Sequence, residues 1–170
     1  MSKTTHMLAF EAYAAREDLY ETHFHSIVTE GFLERIPECM STGLDLSHYT
    51  CMAGWLDLGG DCGIMREVRV SCKDLESRDA VLGKFERLVG GIEKAGEGRD
   101  GGKGALTFMV FRRLDDDVGV RIFGKWAERD EMEKFDRRRE ILDFWLGSKE
   151  EVVQMEWKCY VPNWKGWLHR

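Results

Sequence analysis

Glu11–Ser26 reads EAYAAREDLYETHFHS and holds an acid–aromatic pair followed by two histidines one residue apart. On an ideal helix Leu19, Tyr20, His23, Phe24, Ile27 and Val28 share one broad face, so His23 points inward and His25 outward. Histidines at i and i+2 cannot grip one ion from a regular helix, where i and i+4 are needed, so no metal site is expected here. A sheet-facing imidazole titrates near neutrality and could take a phenolic or carbon-acid proton. The other reading of His23 is a core histidine satisfied by a backbone carbonyl.

A second set of candidates lies further along. Trp126 closes the alternating segment VGVRIFGKW and shares its face with Val120 and Ile122. It could form a pocket wall that stacks on a ring and donates one N–H, or it could be core. Tyr13 has the same two readings, with a hydroxyl in addition. Phe108, Phe123, Met132 and Phe135 line a cavity or fill a core. Arg139, near the inward stripe of its helix, holds an acidic or phenolate oxygen or else reaches solvent. Asp136 reads as a rim residue. The Arg137–Arg139 run reads as a solvated face or a phosphate or carboxylate contact.

The chain around these residues has 170 residues, 43% hydrophobic and 33% charged, the balance of a folded domain rather than a disordered one. A net charge of −6 argues against nucleic acid, whose phosphates need clustered Lys and Arg. No long apolar run is present, so neither a membrane span nor a signal peptide is expected. Five cysteines without C-x-x-C spacing suggest reduced thiols in the cytoplasm rather than disulfides or zinc.

Period-two alternation predicts strands at Arg66–Cys72, Ala105–Arg113, Val118–Trp126 and Val152–Val161. Ser77 reads as the N-cap of a helix running to Ala95, with a stripe of Val81, Phe85, Leu88 and Ile92. A second helix spans Asp130–Trp145, with Met132, Phe135, Leu142 and Leu146 on one side. The loop from Gly96 to Gly104 lacks the strand-before, helix-after setting of a phosphate loop. Residues 66–162 thus read βαββαβ, a ferredoxin-like unit with an antiparallel sheet and both helices on one face.

The opening stretch echoes this unit. Placing Tyr13 on Trp126 puts Phe10 on Phe123, Ala14 on Ala127, Arg16 on Arg129 and Leu19 on Met132. Such self-similarity predicts a partial repeat over 7–57, with a helix from Asp18 to about Ile36 and a last strand at His48–Leu56. The aromatic tail 163–170 would cover a sheet edge or dock on a partner subunit.

These residues resemble the antibiotic biosynthesis monooxygenase family, whose pattern is an acid, an aromatic closing a strand, an acidic turn and a helix carrying histidine. Glu11, Tyr13 and His23 carry that pattern in the first half. The second half keeps the aromatic as Trp126, but has Gly124 for the acid and Asp136 for the histidine. The resemblance implies a dimeric α+β barrel with an incomplete N-terminal repeat, built as a homodimer or within the chain. It also implies oxidation of aromatic, polyketide-like substrates by molecular oxygen without cofactors. His23 would remove a proton, the resulting carbanion or phenolate would pass an electron to oxygen, and Trp126 and Tyr13 would hold the ring. The alternative is a non-catalytic barrel that binds a hydrophobic metabolite or mediates subunit contact. Haem or metal chemistry would have only His23 and His48 to draw on.

Overall fold

The computed structural model describes Glu11 and residues 13–39, 47–57, 62–94 and 104–162. Expectations on Met7–Phe10, most of the glycine-rich loop and the 163–170 tail lie outside the described residues. Two compact units divide between Leu46 and Ser47.

In the first unit a π-helical turn, Asp18–His23, precedes helix α1, Ile27–Cys39. The Phe24 N–H donates to Leu19 O at 3.0 Å, closing the wide turn. A single helix from Asp18 is therefore not formed. Ser26 accepts the Thr29 N–H at 3.2 Å and caps α1 afresh. The break shifts the helical phase, which leaves Ile27 and Val28, expected beside His23 on one face, 87% and 82% exposed.

The second unit carries β1 (Tyr49–Trp55), β2 (Ile64–Cys72), α2 (Leu75–Lys94), β3 (Thr107–Arg113), β4 (Gly119–Trp126), α3 (Arg129–Asp136), α4 (Arg139–Gly147) and β5 (Val152–Tyr160). The sheet is five-stranded and antiparallel, in the order β1-β3-β4-β2-β5. Strands β2 to β5 are the ferredoxin-like arrangement read from the sequence: each crossover helix skips the strand inserted between its ends. The segment expected to close an N-terminal repeat, Tyr49–Trp55, pairs with β3 as an outer strand. Its path depends on Gly54, whose φ of 127° suits glycine and whose Cα lies against the β3 backbone. The sheet runs from edge β1 to edge β5 and does not close on itself.

Alternation sets the two faces. Val68, Val70 and Cys72 of β2, Phe108 and Val110 of β3, and Val120, Ile122 and Trp126 of β4 are buried in one core cluster with Val81, Phe85, Val89 and Ile92 of α2. Each such aliphatic or aromatic side chain contributes roughly 1.5–3 kcal/mol by leaving water. The α2 stripe is as expected, but the cap is not Ser77. Asp74 Oδ1 accepts the Ser77 N–H at 2.7 Å, so the helix starts at Leu75. Its carboxyl is held below the usual range chiefly by that bond.

The second predicted helix is two helices. The chain breaks at Arg137–Arg138, with Arg138 in extended backbone, and the phase resets. Met132 and Phe135 are buried as expected, but α4 buries Ile141 and Phe144 and leaves Leu142 and Leu146 exposed.

Candidate functional site

In the first unit the three residues of the acid–aromatic–histidine pattern converge. The Tyr13 hydroxyl donates to Glu11 Oε2 at 2.5 Å, and the same oxygen lies 3.5 Å from His23 Nε2. The Tyr13 and His23 rings meet edge to face with centroids 5.4 Å apart. His23 Nε2 also stands 3.3 Å from Thr29 Oγ1, which in turn accepts from Ser26 Oγ at 2.9 Å. Burial, then the hydrogen bond to Glu11 and its charge, push the Tyr13 phenol well above its ordinary range. Tyr13 is thus a proton donor, not a phenolate, at neutral pH. A carboxylate that bridges a phenol and an imidazole can orient the ring for proton transfer. His25 is exposed, in the turn between the π-helical segment and α1.

The second unit has a crevice of about 300 Å³, counted out to its open mouth, between the sheet and helices α2, α3 and α4. Its walls are apolar and aromatic, with Phe85, Phe108, Ile122, Phe135 and Phe144 among them, and Arg66 and Asp136 form its polar corner. Phe108 and Phe135 lie with ring centroids 5.2 Å apart, and Trp126 meets Phe135 edge-on at 5.9 Å. Arg66 Nη2 donates to Asp136 Oδ1 at 2.6 Å, and Nη1 pairs with the other carboxylate oxygen, a two-toothed ion pair from β2 to the end of α3. The guanidinium stacks over the Trp126 indole, 5.1 Å from its centroid.

Gly124 explains this geometry. A Cβ there would stand 2.1 Å from Trp126 Cη2, because the indole lies back across the glycine. In the sheet Arg66 is directly opposite Gly124. The position that carries an acid in the first-half pattern thus holds a ring here, and the polar function passes to the neighbouring strand. Two buried donors of this corner, Trp126 Nε1 and Arg66 Nε, have no acceptor among the described residues.

The remaining sequence candidates separate. Met132 is buried in the core beneath α3. Phe123 projects from the opposite face of the sheet to Phe108, Trp126 and Phe135, as its odd register requires, and is 2% exposed there. Arg139 lies out in solvent, 92% exposed, with Asp143 3.5 Å away, because the break at Arg138 rotates it off the inward stripe. Arg137 is likewise exposed. Asp136 is not a bare rim residue but the partner of Arg66. His48 pairs with Asp115, Nδ1 to Oδ1 at 2.9 Å, and no cluster able to hold a metal occurs among the described residues.

Sequence reading missed Arg66. The signal was present: Arg66 has the same parity as Val68, Val70 and Cys72, so alternation alone places it on the core face, where an arginine needs a partner. It also missed Glu67. That carboxylate, 2% exposed on the other face, is bonded by Arg69 Nε at 3.1 Å and the Tyr160 hydroxyl at 3.2 Å, and pairs with Arg121. Arg121 also donates to the Tyr49 hydroxyl.

No described protein family matches the sequence, and no curated protein matches it. Solved structures do. A proposed monooxygenase from Lactobacillus acidophilus superposes with a TM-score of 0.64 at 13% identity, over 84% of this chain and 62% of its own. One from Fusobacterium nucleatum gives 0.66 at 11%, over 81% and 61%. A proposed antibiotic biosynthesis monooxygenase from Bacteroides thetaiotaomicron gives 0.50 at 13%, over 60% and 90%. The chain spans about three fifths of the length of the first two. At these identities the likeness shows the fold alone: an α+β, ferredoxin-like antiparallel sheet with helices on one face.

Proposed function

We propose that this chain is a cofactor-independent monooxygenase, or a related tailoring enzyme, acting on a small aromatic molecule. The observation that carries the reading is the convergence of Glu11, Tyr13 and His23 on one carboxylate oxygen. In the proposed reaction His23 takes a proton from an activated ring carbon or phenol, with Glu11 orienting the imidazole. The carbanion passes electrons to oxygen; a ring CH₂ becomes C=O, one oxygen atom enters the product and the other leaves as water. The substrate supplies all four electrons, so no external reductant is needed. Tyr13, still protonated and donating to Glu11, holds that carboxylate beside the imidazole. Separately, the aromatic crevice of the second unit, with Phe108 and Phe135 in its wall, is read as an apolar ligand seat. The assembly in this reading is a homodimer in the cytoplasm, two open sheets meeting as a barrel.

Oxygen uptake with anthrone- and naphthol-like phenols, wild type against His23→Ala, tests this. Turnover in the wild type that falls about 10²–10⁴-fold in the variant is the expected result for loss of a general base. Background consumption by both proteins discards the oxygenase.

A non-catalytic binding role is the second reading. It is favoured by Asp136, which stands where the pattern has histidine and is occupied by Arg66, so among the described residues the crevice has no acid–base group outside that ion pair.

A further inference from the structure

We propose that Asp136 sets the charge selectivity of the crevice, making it take uncharged aromatic ligands with an acceptor oxygen and reject aromatic carboxylates. The proposal rests on the crevice being the ligand seat, and not on oxygen chemistry. Arg66 lines the crevice with its side chain only 15% exposed, a setting in which a free guanidinium would capture an anion strongly. Asp136 takes both terminal nitrogens in a two-toothed pair and cancels the charge. What stays unpaired are two donors shielded from solvent, Arg66 Nε–H, on a guanidinium whose charge Asp136 offsets, and the Trp126 indole N–H, on two stacked side chains. A carbonyl or phenol oxygen that enters as the crevice side chains part can accept from the Arg66 Nε–H without disturbing the ion pair, with Trp126 behind it. A carboxylate would have to face the Asp136 carboxylate or displace it, and like charges at close range in a low-dielectric wall repel.

Two further contacts keep the corner fixed. The indole is trapped between Gly124 and Phe135, and Arg138, next to the α3 end, stacks over Phe135 with its guanidinium 5.1 Å from the ring centroid. Asp136 is the last residue of α3 and 37% exposed, so it can be replaced without opening the core. Selectivity therefore depends on one exchangeable side chain.

The test is calorimetric titration of the full chain with 1-tetralone, 1-naphthoate and tetralin, which differ in charge and acceptor. The wild type is expected to bind 1-tetralone about 2–10-fold more tightly than tetralin for one neutral hydrogen bond, and 1-naphthoate weakest. Asp136→Asn is expected to strengthen 1-naphthoate by roughly 10–100-fold, the range of a bond to a charged group, and to change 1-tetralone little. Adding Arg66→Leu to Asp136→Asn should remove that gain, which locates it at the guanidinium. Asp136→Ser reads the same quantity if asparagine disturbs the helix end. Equal wild-type binding of 1-naphthoate and 1-tetralone, no saturable binding of any probe, or no gain of 1-naphthoate in either Asp136 variant overturns the proposal. Oxygen uptake is not read, so an inactive protein that shows the switch would leave the selectivity standing while the monooxygenase reading fails.

Discussion

Replacing Gly124 by alanine would drive a methyl group into the Trp126 indole, a ring 1% exposed with nowhere to move. Overpacking of this kind costs about 1–3 kcal/mol, so Gly124→Ala should lower the urea midpoint and displace Arg66 from its stack. An unchanged midpoint would mean the ring does not lie across the glycine. The Tyr13 phenol supplies a second residue-scale prediction. Its titration lies above the ordinary phenol range, so wild type and Tyr13→Phe should show the same rise in phenolate absorbance up to about pH 10 and diverge only beyond it. Early divergence would discard the bond to Glu11. The motif residues were legible in the sequence because they are local, with type and spacing enough to name Glu11, Tyr13 and His23. Arg66 and Asp136 were not paired by that reading, because their contact joins β2 to the end of α3, far apart in the chain.

Elements are where sequence periodicity succeeded and where breaks defeated it. Strands β2, β3 and β4 and the α2 stripe follow from alternation and helical spacing, because each has one face on the core; β5 forms where expected, but Val153, Met155 and Trp157, expected on its core face, are exposed on the sheet edge. The Asp130–Trp145 prediction failed at Arg137–Arg138, where neither glycine nor proline marks a stop. Only the packing of α3 and α4 as separate helices shows the phase reset. Across the opposite face, Glu67 on β2 links Arg121 on β4 and Tyr160 on β5, while Arg121 reaches Tyr49 on β1. A buried charge with its partner removed is costly, so Glu67→Ala should destabilise by about 3–5 kcal/mol in urea titration. A loss below about 1 kcal/mol would mean the pair is replaceable by its surroundings.

For the whole molecule, acid is the condition that loosens it. Asp74, Asp115 and Glu151 have carboxyls held below the usual range, by the Ser77 N–H, by hydrogen bonds from His48 and by the Lys84 ammonium respectively. Each binds its proton more readily unfolded than folded. Their stabilisation is therefore complete above the ordinary carboxylate pKa of about 4 and is lost as pH falls through the lower folded values. The urea midpoint should hold down to about pH 5 and drop below pH 4, with Asp115→Asn showing a smaller drop. An equal drop in that variant would discard the His48–Asp115 contribution. In the proposed homodimer the exposed Trp157 and Met155 of edge strand β5 are the expected contact. Trp157→Glu should then convert a two-copy mass to a one-copy mass in sedimentation, and a single copy in both proteins discards pairing.

By itself the sequence determined the α+β class, the βαββαβ order, the inward faces of most strands and the local acid–aromatic–histidine pattern. These depend on short-range periodicity and on neighbours in the chain. Only the tertiary structure decided that Tyr49–Trp55 joins β3, that Arg66 pairs with Asp136 at the crevice, and that Arg139 lies in solvent. Those outcomes depend on strand partners and on the angle at which a helix restarts, which side-chain spacing within one segment does not encode.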